Sequence, residues 1–199
     1  MVIKLFNRWD WNVEVKDPGL KTYINLNPII YPDVSRGRHV KKWFGKAKVN
    51  IVERLINKMM GPGHLGRKKH MFTSGHLSGK KMRLTKIVYR AFEIIEERTK
   101  KNPIEVLVRA VENAAHNDEV TTIEYAGARY PKAVDTSPQR RVDVALRNIV
   151  VGAYQKAVKS KVSAEEALAD EIIKAYNNDP NSFAIAKKNE FHRMADASR

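Results

Sequence analysis

The chain has 199 residues, of which 43% are hydrophobic, enough for one good-sized core but hardly for two full domains. The absence of cysteine excludes disulfides, thiolate metal sites and a cysteine nucleophile, and it suits a reducing cytosol. The net charge is +15, and no apolar run is long enough for a signal peptide or a membrane span. We therefore expect a soluble, intracellular protein with a polyanionic partner.

The net charge is concentrated in one segment of the chain. Residues 36–90 hold 16 Lys and Arg residues and one acid, Glu53, while the remaining 21 bases and 21 acids cancel. Phosphate is the commonest polyanion in a cell, so such a segment favours nucleic-acid binding. A solvated basic linker is the alternative interpretation.

Residues 1–48 show no helical periodicity, and their prolines and glycines indicate an extended arm. Aromatic side chains alternate with charge along this arm. They could stack on nucleic-acid bases, but anchoring the arm to the core is the preferred interpretation. Because the arm and the basic Gly61–Lys81 loop offer little apolar area to offset the entropy of ordering, we expect both to be disordered without a bound RNA.

Six helices are predicted from hydrophobic periodicity and from start and stop signals. One start signal is Asn102-Pro103 with Glu105, and another is Ser137-Pro138. The predicted helices cover about residues 49–60, 82–99, 103–115, 138 onwards, 164–175 and 183–197.

One β-hairpin is predicted among these helices, over about residues 119–134. β-Branched residues flank an Ala126-Gly127 turn, and Pro131 is tolerable because a lone hairpin has two free edges. A two-stranded hairpin is marginal in water by itself. We therefore expect it to project outward and contact a partner, in preference to serving as scaffold.

Two adjacent arginines, Arg140 and Arg141, stand near the start of the fifth predicted helix. Positive charge is unfavourable at that end of a helix because it meets the positive end of the helix dipole. A bound phosphate would explain the placement, and exposed solubilising charge is the alternative.

No enzyme class is indicated by the residues. His64, His70 and His76 are evenly spaced, but no acid between Arg54 and Phe92 completes a metal site, so phosphate contacts or solvated side chains are preferred. Residues 61–68 lack the spacing of a nucleotide-binding loop. We expect no catalysis, no metal and no cofactor.

Short motifs follow one another through the second half of the chain. They lie at residues 79–81, 85–91, 102–113, 126–131, 134–147 and 187–197. In sequence, order and spacing they resemble the universal S-seven family of small-subunit ribosomal proteins. The arm, including Trp9-Asp10-Trp11, and residues 51–60 resemble the archaeal and eukaryotic branch of that family. Bacterial members have a shorter N-terminus and a C-terminal tail that this chain lacks.

The resemblance implies a mainly α fold, a single helical bundle with a protruding β-ribbon and a basic N-terminal arm. It divides the chain into an arm, residues 1–48, and a helical rRNA-binding domain, residues 49–199. The implied protein is structural and belongs to cytoplasmic ribosomes, next to other head and platform proteins. It binds the 3′ major (head) domain of small-subunit rRNA, nucleates head assembly, and places its ribbon near the exit-site tRNA and the mRNA exit path.

The resemblance also implies three groups of contact residues. The rRNA contacts are Lys80, Lys81, Arg140, Arg141, Arg147, Lys187, Lys188, His192 and Arg193. Weaker rRNA candidates are Arg36, Arg38, Lys41, Lys42, Lys46, Lys48, Arg67, Lys68, Lys69 and Arg83. On the hairpin, the residues expected to face tRNA or mRNA are Glu124, Tyr125, Gly127, Arg129, Tyr130 and Lys132.

Two other functions stay open at this point. A free-standing DNA- or RNA-binding regulator could use the helix at residues 137–151 for recognition, but it would need a dimer surface or a turn-linked helix pair, and neither is evident. A nucleic-acid-modifying enzyme is a third, minor possibility.

Overall fold

Seven α-helices and one β-hairpin occur in the residues that the structure, a computed structural model, describes: 3–32, 37–61, 79–158 and 160–199. The helices are α1 Pro18–Lys21, α2 Ile51–Met59, α3 Lys81–Thr99, α4 Pro103–Ala114, α5 Pro138–Ala157, α6 Ala164–Tyr176 and α7 Phe183–Asp196. The strands are β1 Asp118–Tyr125 and β2 Ala128–Asp135. The six longer helices, α2 to α7, and the hairpin confirm the prediction of a mainly helical bundle with one ribbon.

Local signals in the sequence explain where most of these helices begin. The Asn102 side chain accepts a hydrogen bond from the Ile104 backbone N–H, and Pro103 occupies the first helical position of α4. Ser163 caps α6 in the same way. Ser137 differs from the prediction, since its side chain makes no capping hydrogen bond and α5 begins with Pro138 alone.

Helix α6 lies at the centre of the bundle and contacts α3, α4, α5 and α7. Three of its six buried residues are alanines, Ala167, Ala169 and Ala175, and these small side chains let the neighbouring helices approach closely. Gly152 of α5 shows how close this approach is. A Cβ atom there would lie 2.8 Å from side-chain atoms of both Glu171 and Phe183.

The first 32 residues contribute directly to the hydrophobic core. The arm side chains buried in it are Leu5, Trp9, Trp11, Val15, Leu20 and Ile24. The Trp9 ring lies 5.6 Å from the ring of Phe92 on α3 and 5.4 Å from that of Tyr89, centroid to centroid. Anchoring of the arm by its aromatic residues is therefore confirmed for Trp9 and Trp11. The expectation that the arm has little apolar area is wrong for residues 3–32, while disorder of the arm without RNA stays a prediction. Most of the Gly61–Lys81 loop is outside the described residues.

The hairpin projects from the bundle and is attached at its base. Ala126 and Gly127 both have positive φ, 50° and 79°, as a tight two-residue turn requires. Residues 121–132 are exposed throughout. At the base, the Ala133 backbone N–H donates to the Ser198 carbonyl at 3.2 Å, and α7 contacts both strands. The tip is thus left free of the core.

None of the described helices combines the length and apolar character that crossing a lipid bilayer demands.

The buried arm leads to a stability prediction with a matched control. Replacing Trp9, whose side chain is only 3% exposed, by Ala should lower the free energy of unfolding by about 3–5 kcal/mol because a large cavity opens against α3. Trp43→Ala, at a residue that is 94% exposed, should change it by less than about 0.5 kcal/mol. Urea unfolding of the two variants measures the difference, and equal effects would contradict an arm that is part of the core.

Candidate nucleic-acid interface

The two arginines at the start of α5 each contact an acid from another part of the chain. The Arg140 guanidinium donates two hydrogen bonds to the Glu119 carboxylate of β1, at 2.6 and 2.5 Å. Arg141 lies 3.1 Å from Asp17, the residue that caps α1. The hydrogen bond from Arg140 holds the pKa of Glu119 below its ordinary value. These acids offset the unfavourable helix-end charge, so the position of the arginines has a second explanation besides a bound phosphate.

The two arginines differ in how far they can reach an outside ligand. The Arg140 side chain is 56% exposed, and its two-pronged contact with Glu119 is the geometry with which guanidinium groups also bind phosphate. The Arg141 side chain is only 16% exposed. Arg140 is therefore the more accessible member of the pair.

One helical turn further along α5, a single carboxylate holds three cations. Asp143 lies 2.8 Å from Lys46, 3.2 Å from Arg54 and 3.7 Å from Lys58. Arg54 is almost completely buried and also donates to the Tyr23 carbonyl at 2.7 Å. This Asp143 cluster joins the arm, α2 and α5, and its positive charges outnumber its negative one.

The pKa shifts in the Asp143 cluster follow from burial and from mutual charge. Burial lowers the pKa of Arg54 and of Lys58, and the carboxylate only partly offsets this effect. Burial alone would raise the pKa of Asp143, but the hydrogen bond from Lys46 and the charges of Lys58 and Arg54 bring it below its ordinary value. The carboxylate therefore stays ionised at neutral pH.

Seven other candidate cations are exposed. Among the described residues, no acid lies within ion-pair distance of these side chains, which are Arg38, Lys41, Lys42, Lys48, Lys80, Arg83 and Arg147. Lys81 differs, since it lies 2.9 Å from Glu53 of α2. The structure thus supplies a set of cations that are available to an outside anion.

The α7 candidates are held mainly by contacts inside the protein. The Lys188 ammonium group donates to the Asn113 carbonyl at 2.7 Å, and burial lowers its pKa. His192 accepts a hydrogen bond from the Asn117 backbone N–H at 3.2 Å. Lys187 pairs with Glu190, while Arg193 is exposed. Lys188 therefore attaches α7 to the last turn of α4, and His192 attaches it to the segment between α4 and β1.

His116 is a buried residue at this junction that sequence reasoning missed. It is 1% exposed, its ring lies 4.9 Å from that of Phe191, and neither ring nitrogen has a hydrogen-bond partner among the described residues. Burial lowers its pKa, the charge of Glu119 partly offsets this effect, and the charges of Arg140, His192 and Arg141 lower the pKa further. In the sequence, only its position just before the start of β1 could have drawn attention to this histidine, and that position alone does not predict burial.

Sequence reasoning also missed the acids. It concentrated on bases, although Asp143 is three residues from Arg140 and four from Arg147, a spacing that puts all three near one another on α5. Asp17 and Glu119 had no comparable signal, because their partners are distant in sequence.

Several predicted residues fall outside the described part of the chain. They are Arg36, Arg67, Lys68 and Lys69, together with His64, His70 and His76. Within the described ranges, no three His, Asp or Glu side chains are grouped as a metal site would require.

The hairpin candidates are all exposed. The strand register places Tyr125, Tyr130 and Lys132 on one face, and it places Glu124 opposite Arg129, 3.6 Å apart, on the other. The aromatic face is turned to solvent, so its side chains are free to contact a partner.

Comparison with known proteins settles the family. A family model described as "Ribosomal protein S7p/S5e" matches residues 20–199. The chain is also 58% identical over 200 residues to a curated protein of Nanoarchaeum equitans (strain Kin4-M), "Small ribosomal subunit protein uS7", with 100% of both chains covered. The chain belongs to the S7p/S5e family of ribosomal proteins.

Membership in the S7p/S5e family confirms several sequence predictions. The chain is a structural small-subunit ribosomal protein and not an enzyme, it has a role in translation, and its location is the cytoplasmic ribosome. The archaeal relative supports assignment to the archaeal and eukaryotic branch. A free-standing regulator that uses the helix at residues 137–151 for recognition does not fit, because the chain belongs to a ribosomal family and ten of the 20 residues of α5 are buried.

The Asp143 cluster gives a stability prediction. Asp143→Asn removes the only carboxylate within ion-pair distance of Arg54 among the described residues, so it should lower the free energy of unfolding by about 3 kcal/mol. Glu97→Gln is the matched control, because it removes one negative charge from an exposed residue of α3 that has no ion pair among the described residues. Denaturant unfolding at neutral pH checks both variants, and equal stability of the two would contradict a structural role for Asp143.

Proposed function

We propose that this small-subunit ribosomal protein binds the 3′ major (head) domain of the rRNA and nucleates assembly of the subunit head. The observation that carries the proposal is the set of exposed cations in the arm, above all Arg38, Lys41, Lys42 and Lys48, which are close in sequence to Lys46 of the Asp143 cluster. Among the described residues they have no acidic partner, so an outside polyanion is their natural counter-charge. The choice of the head domain rests on the resemblance of residues 79–197 to the S-seven family.

Two kinds of phosphate contact contribute to binding in this proposal, one from the arm lysines and one from Arg140. Lys41, Lys42 and Lys48 are exposed and lie on or next to two short 3₁₀ helices, Arg38–Lys41 and Gly45–Lys48, where they attract phosphates without regard to sequence. Arg140 lies on the rigid start of α5 and holds its guanidinium in a fixed direction through Glu119. A phosphate bound at Arg140 would either contact the guanidinium together with the Glu119 carboxylate or displace that carboxylate. Only an RNA of the right shape places a phosphate at this position.

The same proposal includes the hairpin near the exit-site tRNA and the mRNA exit path. What supports it is the projection of residues 121–132 from the bundle and their full exposure. Tyr125 and Tyr130 supply aromatic surface on one face and Lys132 supplies positive charge there, while Arg129 lies beside Glu124 on the other face. The arrangement suits a nucleic-acid partner that approaches from the side away from the core.

The test compares binding of head-domain rRNA and random RNA by competition titration at two salt concentrations. Replacing Lys41, Lys42 and Lys48 by Gln should weaken both complexes alike and lower the log–log salt slope by up to about 0.7–0.9 for each lysine that no longer neutralises a phosphate. Arg140→Ala should cost about 1–3 kcal/mol, mainly on the head-domain RNA.

The control addresses the acid that Arg140→Ala leaves unpaired. The double variant Arg140→Ala/Glu119→Gln removes the charge of that carboxylate. If its affinity for head-domain RNA is still reduced, the reduction is caused by the lost contact between Arg140 and a phosphate and not by repulsion from Glu119. Equal weakening on both RNAs would remove Arg140 as a specificity residue. A wild-type protein that does not prefer head-domain RNA to random RNA would overturn the proposed function.

A further inference from the structure

The arm carries one fully exposed tryptophan in a chain whose other two are buried. Trp43 is 94% exposed, against 3% for Trp9 and 6% for Trp11. Its neighbours Val40 and Phe44 are 76% and 57% exposed. Within the described residues, the Trp43 indole makes neither a ring contact nor a cation–π contact. An unpartnered aromatic group of this size is unusual on a protein surface and indicates a binding surface.

The backbone directly after Trp43 is held in place by contacts of the next three residues. Phe44 has φ 53°, a left-handed conformation, and its ring packs edge-to-face with that of Tyr23 at a centroid distance of 6.3 Å. Gly45 is buried, and a Cβ atom there would collide with the backbone carbonyl of His39. Lys46 is fixed by Asp143. The indole therefore points outward from an anchored turn.

The chemistry around the indole identifies the class of ligand. Residues 37–50 contain no acid, and the exposed cations Arg38, Lys41, Lys42 and Lys48 surround Trp43 in sequence. An exposed aromatic ring among cations is the arrangement with which proteins bind single-stranded nucleic acid, the ring stacking on a base and the cations contacting its phosphates. Paired RNA keeps its bases stacked on each other, so the partner is an unpaired nucleotide.

We propose that Trp43 is a stacking site for an unpaired base of the small-subunit rRNA, with the phosphates beside that base held by Lys41 and Lys42. The proposal rests on the proposed function, because rRNA is the polyanion that this function supplies. It adds a contact that reads an unpaired base, whereas the lysines and Arg140 contact phosphates.

The fluorescence of Trp43 measures base stacking separately from the phosphate contacts. Trp43→Phe removes only the exposed emitter, so the difference between its spectrum and that of the wild type is the Trp43 signal. A single-stranded oligoadenylate should quench that signal, and a fully paired RNA duplex at the same bound fraction should not. Equal quenching by the duplex, or none by the single strand, would overturn the stacking site.

Affinity for the head-domain rRNA gives the second readout. Trp43→Ala should weaken binding about 5- to 100-fold at an unchanged salt slope, because the indole carries no charge. Trp43→Phe should recover part of this affinity. Val40→Ala, at another exposed apolar residue of the same turn, should bind as the wild type does, and Lys42→Gln should lower the salt slope.

The outcomes separate this proposal from the proposed function. If Trp43→Ala binds head-domain rRNA like the wild type, the stacking site is wrong while the rRNA assignment stands. If it binds naked rRNA normally but enters reconstituted subunits poorly, the ring contacts a neighbouring protein, and stacking on a base is again overturned. If the wild type shows no preference for head-domain RNA, the proposed function fails, whatever the oligoadenylate measurement shows.

Discussion

Like charges repel, and this chain has to hold many cations close together before any nucleic acid supplies the opposite charge. Three acids around α5 meet that constraint. Asp17, Glu119 and Asp143 each lie within ion-pair distance of at least one cation, and Asp143 contacts three. Because cations outnumber acids at the Asp143 cluster, the acids position the basic side chains without neutralising the surface. The excess charge remains available to phosphate.

The same three acids connect parts of the chain that are far apart in sequence. Asp143 joins α5 to the arm through Lys46 and to α2 through Arg54, Asp17 joins the arm to α5, and Glu119 joins the hairpin base to α5. The arm is also anchored by the buried residues that begin with Leu5. Much of the entropy cost of ordering the arm is therefore offset when the protein folds and not when it binds RNA. More of the free energy of the RNA contacts then contributes to affinity.

Features set by local interactions could be predicted from the sequence, and features set by distant contacts could not. The start of α4 at Asn102-Pro103 and the Ala126-Gly127 turn are local signals, and both were predicted. The arm has no periodicity, so nothing in its sequence shows that Trp9 meets Phe92 or that Trp43 stays outside. The contact between Arg141 and Asp17 spans 124 residues, and no local pattern predicts it.

The central claim is that acids of the protein hold the basic surface in place in the free chain, so that Arg140 and the lysines without an acidic partner among the described residues can contact rRNA phosphates in the ribosome. A high-resolution structure of a small subunit that contains this chain tests it most directly. The account predicts rRNA phosphate oxygens within about 4 Å of the Arg140 guanidinium and of at least one of Lys41, Lys42 and Lys48. It also predicts that Asp143 still contacts Arg54. An unchanged Arg140–Glu119 pair with no phosphate near it or near the three lysines would contradict the account.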